Sequence, residues 1–225
     1  MWRRSLIAAL CLVAIRPLWA GQLLDRTIAT VNGHVLLQTE WDDELRYECF
    51  MAKRSLDELT KEDRKTALDR LIDQELLREQ MHSAEFELVS SQEIDQQMAN
   101  LKSQFTGEDP SEAWTRLLSR YGISEKLIRE RVELELNQLR LVNARLRPSI
   151  QIDASAVENY YKQQMLPKLP PGQQPVLDQV APQIRELLVQ TKMNELLSSW
   201  LETLRTQARI QVLVAEFSSS LAEGQ

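Results

Sequence analysis

A mainly α-helical fold with one small β-sheet is predicted by three features of the chain. Glycine is scarce at 6 residues and aromatic residues make up only 6% of the 225, while Leu, Glu, Gln, Arg and Lys recur; such a composition favours helix over strand. Through the middle of the chain apolar residues return at i, i+3, i+4 intervals behind helix-start signals. Near the two ends the pattern changes to short β-prone runs. With 43% apolar residues the chain can fill a core.

The first twenty residues read as a secretory signal. Arg3 and Arg4 precede the apolar run Leu6 to Ile15, and Pro17 to Ala20 precede Gly21. The run is about half of the roughly 20 residues needed to span a bilayer, and Arg16 interrupts it. Cleavage near Ala20 removes Arg3, Arg4 and Arg16 and no acid, so the net charge of −6 becomes −9, with 24 basic residues against 33 acidic ones. Such a surface repels nucleic-acid phosphates and anionic lipid, and it also serves solubility alone. Cys49 is then the single cysteine, so packing rather than a disulfide must hold the fold.

Thr27 to Val31 and Val35 to Leu37 are β-prone runs joined by Asn32, Gly33 and His34. An Asn-Gly pair between apolar runs marks a tight hairpin, because a type I′ turn needs positive φ at both central residues. At the far end Arg209 to Ala215 alternates, with Ile210, Val212 and Val214 on one side. A lone hairpin is marginal in water, so this last strand is expected to join it as a third.

Between the strands, Thr39 with Asp42, Thr60 with Asp63, and Ser90 with Glu93 each resemble a capping box. Behind them run the inner faces Trp41, Leu45 and Cys49; Leu68, Leu71, Ile72 and Leu76; and Ile94, Met98, Leu101 and Phe105. Asp109, Pro110 and Glu112 start a further helix, which Gly122 ends with Ile123 in Schellman position. Ser124 begins a long helix carrying Ile128, Val132, Leu139, Val142 and Leu146 inward and stopped at Pro148. Asp153 caps a brief helix with Val157, Tyr160 and Tyr161. From Leu166 to Pro175 four prolines and a glycine form a linker. Pro182 then suits the first turn of a helix running to about Gln207, with Ile184, Leu188, Met193, Leu197, Trp200 and Leu204 inward.

Two distant stretches together resemble the SurA-type periplasmic chaperones. Asp25 to Gly33, followed by Val35-Leu36-Leu37 and Thr39-Glu40, looks like that family's opening hairpin and first helix. Leu68 to Leu77 resembles its second helix. Tyr121 to Glu125, and Arg147 to Ile152 before Val157, Tyr160 and Tyr161, look like its later landmarks. Ile184-Arg185, Trp200 to Arg205 and Ala208 to Ile210 resemble its closing helix and strand. The similarity covers about residues 25 to 165 and 176 to 214. In such chaperones a parvulin prolyl isomerase domain follows the Tyr-Tyr segment. Here only Lys162 to Pro175 stand there, 14 residues, well under the roughly 40 that a fold without staples requires.

The resemblance implies a helical chaperone domain divided as follows: signal peptide 1–20, SurA N-terminal-like helices 21–165, linker 166–175 in place of the parvulin domain, a closing helix and strand 176–215, and a flexible tail 216–225. It implies a periplasmic, ATP-independent holdase for unfolded exported or outer-membrane proteins, without isomerase activity. A non-catalytic assembly module with one dedicated envelope partner is the alternative. Met98, Phe105, Trp114, Tyr160, Tyr161 and Met165 are the candidate peptide-binding residues, since flexible and aromatic side chains suit loose recognition; Met98, Phe105 and Trp114 read more readily as ordinary core, whereas Tyr160, Tyr161 and Met165, which abut the linker, read as readily either way. The proline stretch suggests a homodimer that exchanges the C-terminal helix.

Catalytic chemistry is not expected. His34 and His82 stand far apart with one cysteine, which gives no metal spacing. The chain carries no glycine-rich phosphate loop and no Gly-x-Ser-x-Gly elbow. The expected set is therefore no cofactor, no metal and no enzyme.

Overall fold

The computed structural model describes residues 25–83, 86–106, 110–170, 172, 174–215 and 217. The signal-like segment, the Asp109 cap and most of the C-terminal tail lie outside them.

The N-terminal hairpin pairs β1 (Thr27–Val31) with β2 (His34–Leu37), antiparallel, and β3 (Ile210–Val212) adds to the other side of β1, giving the order β2-β1-β3. Asn32 and Gly33 take φ of 51° and 94°, the double positive φ that a type I′ turn requires. Asn32 does more than turn the chain. Its backbone N–H donates to the Arg209 carbonyl at 2.9 Å, its side-chain oxygen accepts from the Arg209 N–H at 2.8 Å, and its Nδ2 donates to Glu79 at 2.7 Å. One residue thus ties the hairpin to the last strand and to a helix beneath it. Asn32→Gly, which preserves the turn, is expected to lose about 1 kcal/mol in urea denaturation; an unchanged midpoint would show that the side-chain ties are idle.

Helix α1 (Gln38–Ala52) follows β2 without a loop. The expected Thr39–Asp42 cap does not form. Gln38 N–H is already held by the Arg26 carbonyl at 2.8 Å, so the helix starts earlier and Leu37 N–H donates to Glu40 Oε2 at 2.7 Å. Thr39 instead turns to Asp25, to which both its N–H and its hydroxyl donate. The other two boxes form: Thr60 with Asp63 opens α2 (Lys61–Ser83), and Ser90 with Glu93 opens α3 (Ser91–Thr106). The Arg54 and Thr60 hydrogen bonds hold the Asp63 carboxyl well below the usual carboxylate range.

Helix α4 (Pro110–Tyr121) closes at Gly122, φ 63°, where Ile123 N–H bonds the Leu118 carbonyl at 3.1 Å, as the Schellman cap requires. Ser124 caps α5 (Glu125–Leu146), and Asp153 caps α6 (Ala154–Tyr160). Leu139 departs from the expected inner face at 56% exposure. Its place is taken by Leu141, because α5 changes partners along its length and its buried stripe rotates with them.

The linker is shorter than the proline count suggests. A π turn at Tyr161–Met165 and a 3₁₀ turn at Leu166–Lys168 carry the helical path on from α6, with Pro167 in a first turn where its missing N–H leaves no bond unmade. Helix α7 (Leu177–Gln207) begins before Pro182 rather than at it. The carbonyl that Pro182 leaves unbonded belongs to Asp178, an exposed residue that water can serve. At 1.5 Å per residue α7 spans about 46 Å.

Two hydrophobic cores result. The first gathers the sheet, the start of α1, α2, the end of α5 and the second half of α7, around Ile28, Trp41, Leu71, Leu76, Leu141, Trp200 and Leu204. Phe217, assigned by sequence to the tail, belongs to it, edge-on to Trp41 at 6.2 Å. The second gathers the end of α1, α3, α4 and the start of α5 around Phe50. Arg205 clamps α7 to α2 through Asp73 at 2.6 Å and Asp69 at 3.2 Å.

Candidate functional site

Helices α1 and α5 each serve both cores, and a layer of charge lies where they cross between them. Glu44, 1% exposed, is its centre, with one carboxylate oxygen 2.7 Å from Arg131 Nη1 and the other 3.8 Å from Arg70. Gln74 accepts from Arg131 at 2.9 Å and turns its amide toward Glu44 at 3.4 Å. Arg70 also reaches Glu48 at 2.5 Å, and Glu135 accepts the Tyr47 hydroxyl. Three carboxyls thus meet two guanidiniums, leaving one acid in excess.

Burial pushes the Glu135 carboxyl up, as it does Glu48, and burial together with the Glu135 charge holds the Tyr47 hydroxyl protonated. An acid with a raised folded pKa binds more protons folded than unfolded in the window between the two values. Its contribution to stability therefore falls as pH rises from about 4.3 through the folded pKa. Relative to the parent, Glu135→Gln is expected to show a flatter decline in urea midpoint across that window. Parallel curves would remove Glu135 from the linkage.

Sequence patterning carried a signal for this layer that a search for catalytic motifs passes over. Trp41, Glu44, Leu45 and Glu48 follow the inner-face rhythm, as do Ile128, Arg131, Val132 and Glu135. Opposite charges at inner positions of two helices mark a buried pair.

The candidate peptide-binding residues separate into two groups. Met98 and Trp114 are 5% and 3% exposed inside the second core, and Phe105 stacks on Phe50 with ring centroids 4.6 Å apart. They share one cluster, and in this arrangement Met98 and Trp114 present no open face. Trp114 Nε1–H donates to Glu125 at 3.0 Å, so even its polar edge is engaged. Tyr160, Tyr161 and Met165 stand together elsewhere, half-buried, along α6 and the π turn. This segment packs on the first half of α7, where Val157 and Ile184 are buried apart from both cores. Tyr161 Oη donates to the Pro175 carbonyl at 2.6 Å, clipping the proline stretch to the π turn. Cys49 is buried at 2% and its thiol is pushed up by that burial, so it serves as a small core residue.

Two surface clefts lie outside these clusters. One of about 350 Å³ lies between α2 and α5, lined by Met81, Leu88 and Leu134 with Glu130 and Glu133 at its edge. Another of about 540 Å³ opens beside the sheet, at the starts of α1 and α2. Among the described residues no cluster of three or more His, Cys, Asp or Glu is placed to hold a metal, and no helix is long and apolar enough to cross a membrane.

A comparison with protein families matches residues 5–142 to the SurA-like N-terminal domain. A search of curated proteins finds no match. The family match spans the hairpin, α1 to α4 and most of α5, hence most of both cores and every residue of the charged layer between them. The remaining part of the platform, the second half of α7 with β3, returns to the hairpin that the match contains, and no parvulin domain stands between α6 and α7. The chain belongs to the SurA-like N-terminal domain family, whose role is chaperone-related, and it does so without the parvulin domain.

Proposed function

We propose that the protein is an ATP-independent periplasmic holdase that keeps unfolded exported polypeptides, outer-membrane precursors among them, from aggregating, and that it catalyses no prolyl isomerisation. The observation that supports this most directly is the half-exposed group of Tyr160, Tyr161 and Met165 at the π turn. It occupies the point where SurA-type chaperones branch into an isomerase domain, on an arm held outside both cores. π turns insert an extra residue into a helix and recur at functional positions, and Met and Tyr side chains accommodate varied apolar segments. Export rests on the basic, apolar and small-residue layout of residues 1–20.

The test is suppression of light scattering by several chemically unfolded clients. Stoichiometric protection of most of them is the expected result; protection of none, alongside tight binding to one folded envelope protein, would replace the holdase by a dedicated assembly module. The double variant Tyr160→Ala, Met165→Ala should protect several-fold less well without losing its melting transition. A peptide isomerisation rate above the uncatalysed one would overturn the non-catalytic reading. Exchange of α7 between two copies through the short proline stretch is the oligomeric arrangement proposed, and a strict monomer in light scattering would dismiss it.

A further inference from the structure

The cleft beside the sheet has a charge character opposite to that of the molecule. The chain carries a net charge of −6, yet the cleft is lined by Arg26, Lys61 and Arg64 with Gln38, Thr60 and Ala215, over a floor of Trp41, Leu59 and Val214, and, among the described residues, by no acid. The basic side chains of most neighbouring segments are consumed in ion pairs: Arg54 with Asp63, Arg70 with Glu48, Arg78 with Glu75. Among the described residues none of the three cleft cations has a carboxylate partner. Asp63, in the first turn of α2, is already held by Arg54 and by the Thr60 cap. Lys61 lies over the Phe217 ring at 5.5 Å, and Arg64 bonds through its backbone, its carbonyl accepting from Trp41 Nε1–H at 2.9 Å and its N–H donating to the Thr60 carbonyl at 3.2 Å.

Three cations with no carboxylate partner among the described residues repel one another where they line one cleft, and the arrangement is relieved by an anion seated among them. From this we infer that the cleft binds an acidic segment of an extended polypeptide, a carboxylate meeting Arg26, Lys61 and Arg64 while an apolar side chain two residues away rests on the Trp41–Leu59–Val214 floor. The spacing follows from the strand: alternate residues share a face, about 6.7 Å apart, a distance that fits a cleft of this size. The inference deepens the holdase reading and rests on it for the polypeptide, because it states which client segments the protein would grip.

The experiment uses the purified protein and a labelled peptide alternating Asp and Leu with threonine, followed by fluorescence anisotropy. The control peptide carries Asn for Asp. The expected result is binding of the acidic peptide that weakens about tenfold or more with the Asn control, with raised salt, and in Arg26→Gln, Lys61→Gln, Arg64→Gln. The single variant Lys61→Glu changes an exposed residue and should lose binding with an unchanged thermal melt. Arg116→Gln, Lys126→Gln, Lys192→Gln removes the same charge elsewhere and should bind as the parent does. Equal binding by the Asn peptide, or equal loss in the two triple variants, would overturn the inference, as would binding of laurate at the cleft with no peptide binding. Client aggregation is followed on the same samples: protection by the parent with no peptide affinity refutes the cleft alone, whereas peptide affinity without protection refutes the holdase reading alone.

Discussion

Arg131→Met is expected to lower the stability of the protein by about 3–5 kcal/mol, because it leaves Glu44 charged in a site with almost no access to water. Arg131 Nη1 lies 2.7 Å from Glu44 and only 12% of the Arg131 side chain is exposed. Arg70 cannot take over, since it stands 3.8 Å from Glu44 and is already committed to Glu48. The matching double variant Glu44→Met, Arg131→Met removes both charges and should recover much of the loss. Urea denaturation of the two variants decides the matter. Equal loss in both would mean that the site responds to volume rather than to charge, and a loss below about 1 kcal/mol in the single variant would show that water reaches Glu44.

Phe50→Ala is expected to destabilise the second core by about 3–5 kcal/mol. Phe50 is fully buried and meets four other rings, stacked on Phe105, edge-on to Trp114 and Tyr121, each with centroids 5.8 Å away, and tilted against Tyr47 at 6.5 Å. Because this core is separated from the sheet platform by the charged layer, the loss should appear first as faster amide exchange in α3 and α4, with the sheet and α7 protected longer. Uniform acceleration across the chain would show that the two cores unfold as one unit, and the charged layer would then join them rather than divide them.

These two effects bear on the holdase proposed above, which needs a platform that survives while a neighbouring lobe adapts. The first core, clamped by Arg205 and tied by Asn32, supplies the stable half. The second core is built on aromatic contacts and on α3 and α4, whose connection to the rest runs through the end of α1 and the start of α5.

Local chemistry made much of the fold legible. The Asn32-Gly33 turn, the Thr60 and Ser90 boxes, the Ser124 and Asp153 caps and the Gly122 stop all act within a few residues of themselves, so the sequence contains both partners of each interaction. The Thr39 cap did not form because its competitor, the Arg26 carbonyl, lies across the hairpin. Leu139 left the inner face because α5 turns from one core to the other, and the start of α7 moved ahead of Pro182 because an exposed Asp178 carbonyl tolerates the missing donor.

By itself, then, the sequence determined the kinds and order of the elements, the sheet that joins both ends, and the short span where relatives carry an isomerase. It did so because turns, caps and apolar periodicity are short-range. Only the tertiary structure decided that Met98 and Trp114 are core, that Tyr160, Tyr161 and Met165 share one arm, that Glu44 and Arg131 meet between two cores, and that Arg26, Lys61 and Arg64 gather in one cleft. The last two of these join residues dozens of positions apart, and charge pairing at such distances depends on how helices cross rather than on any local pattern.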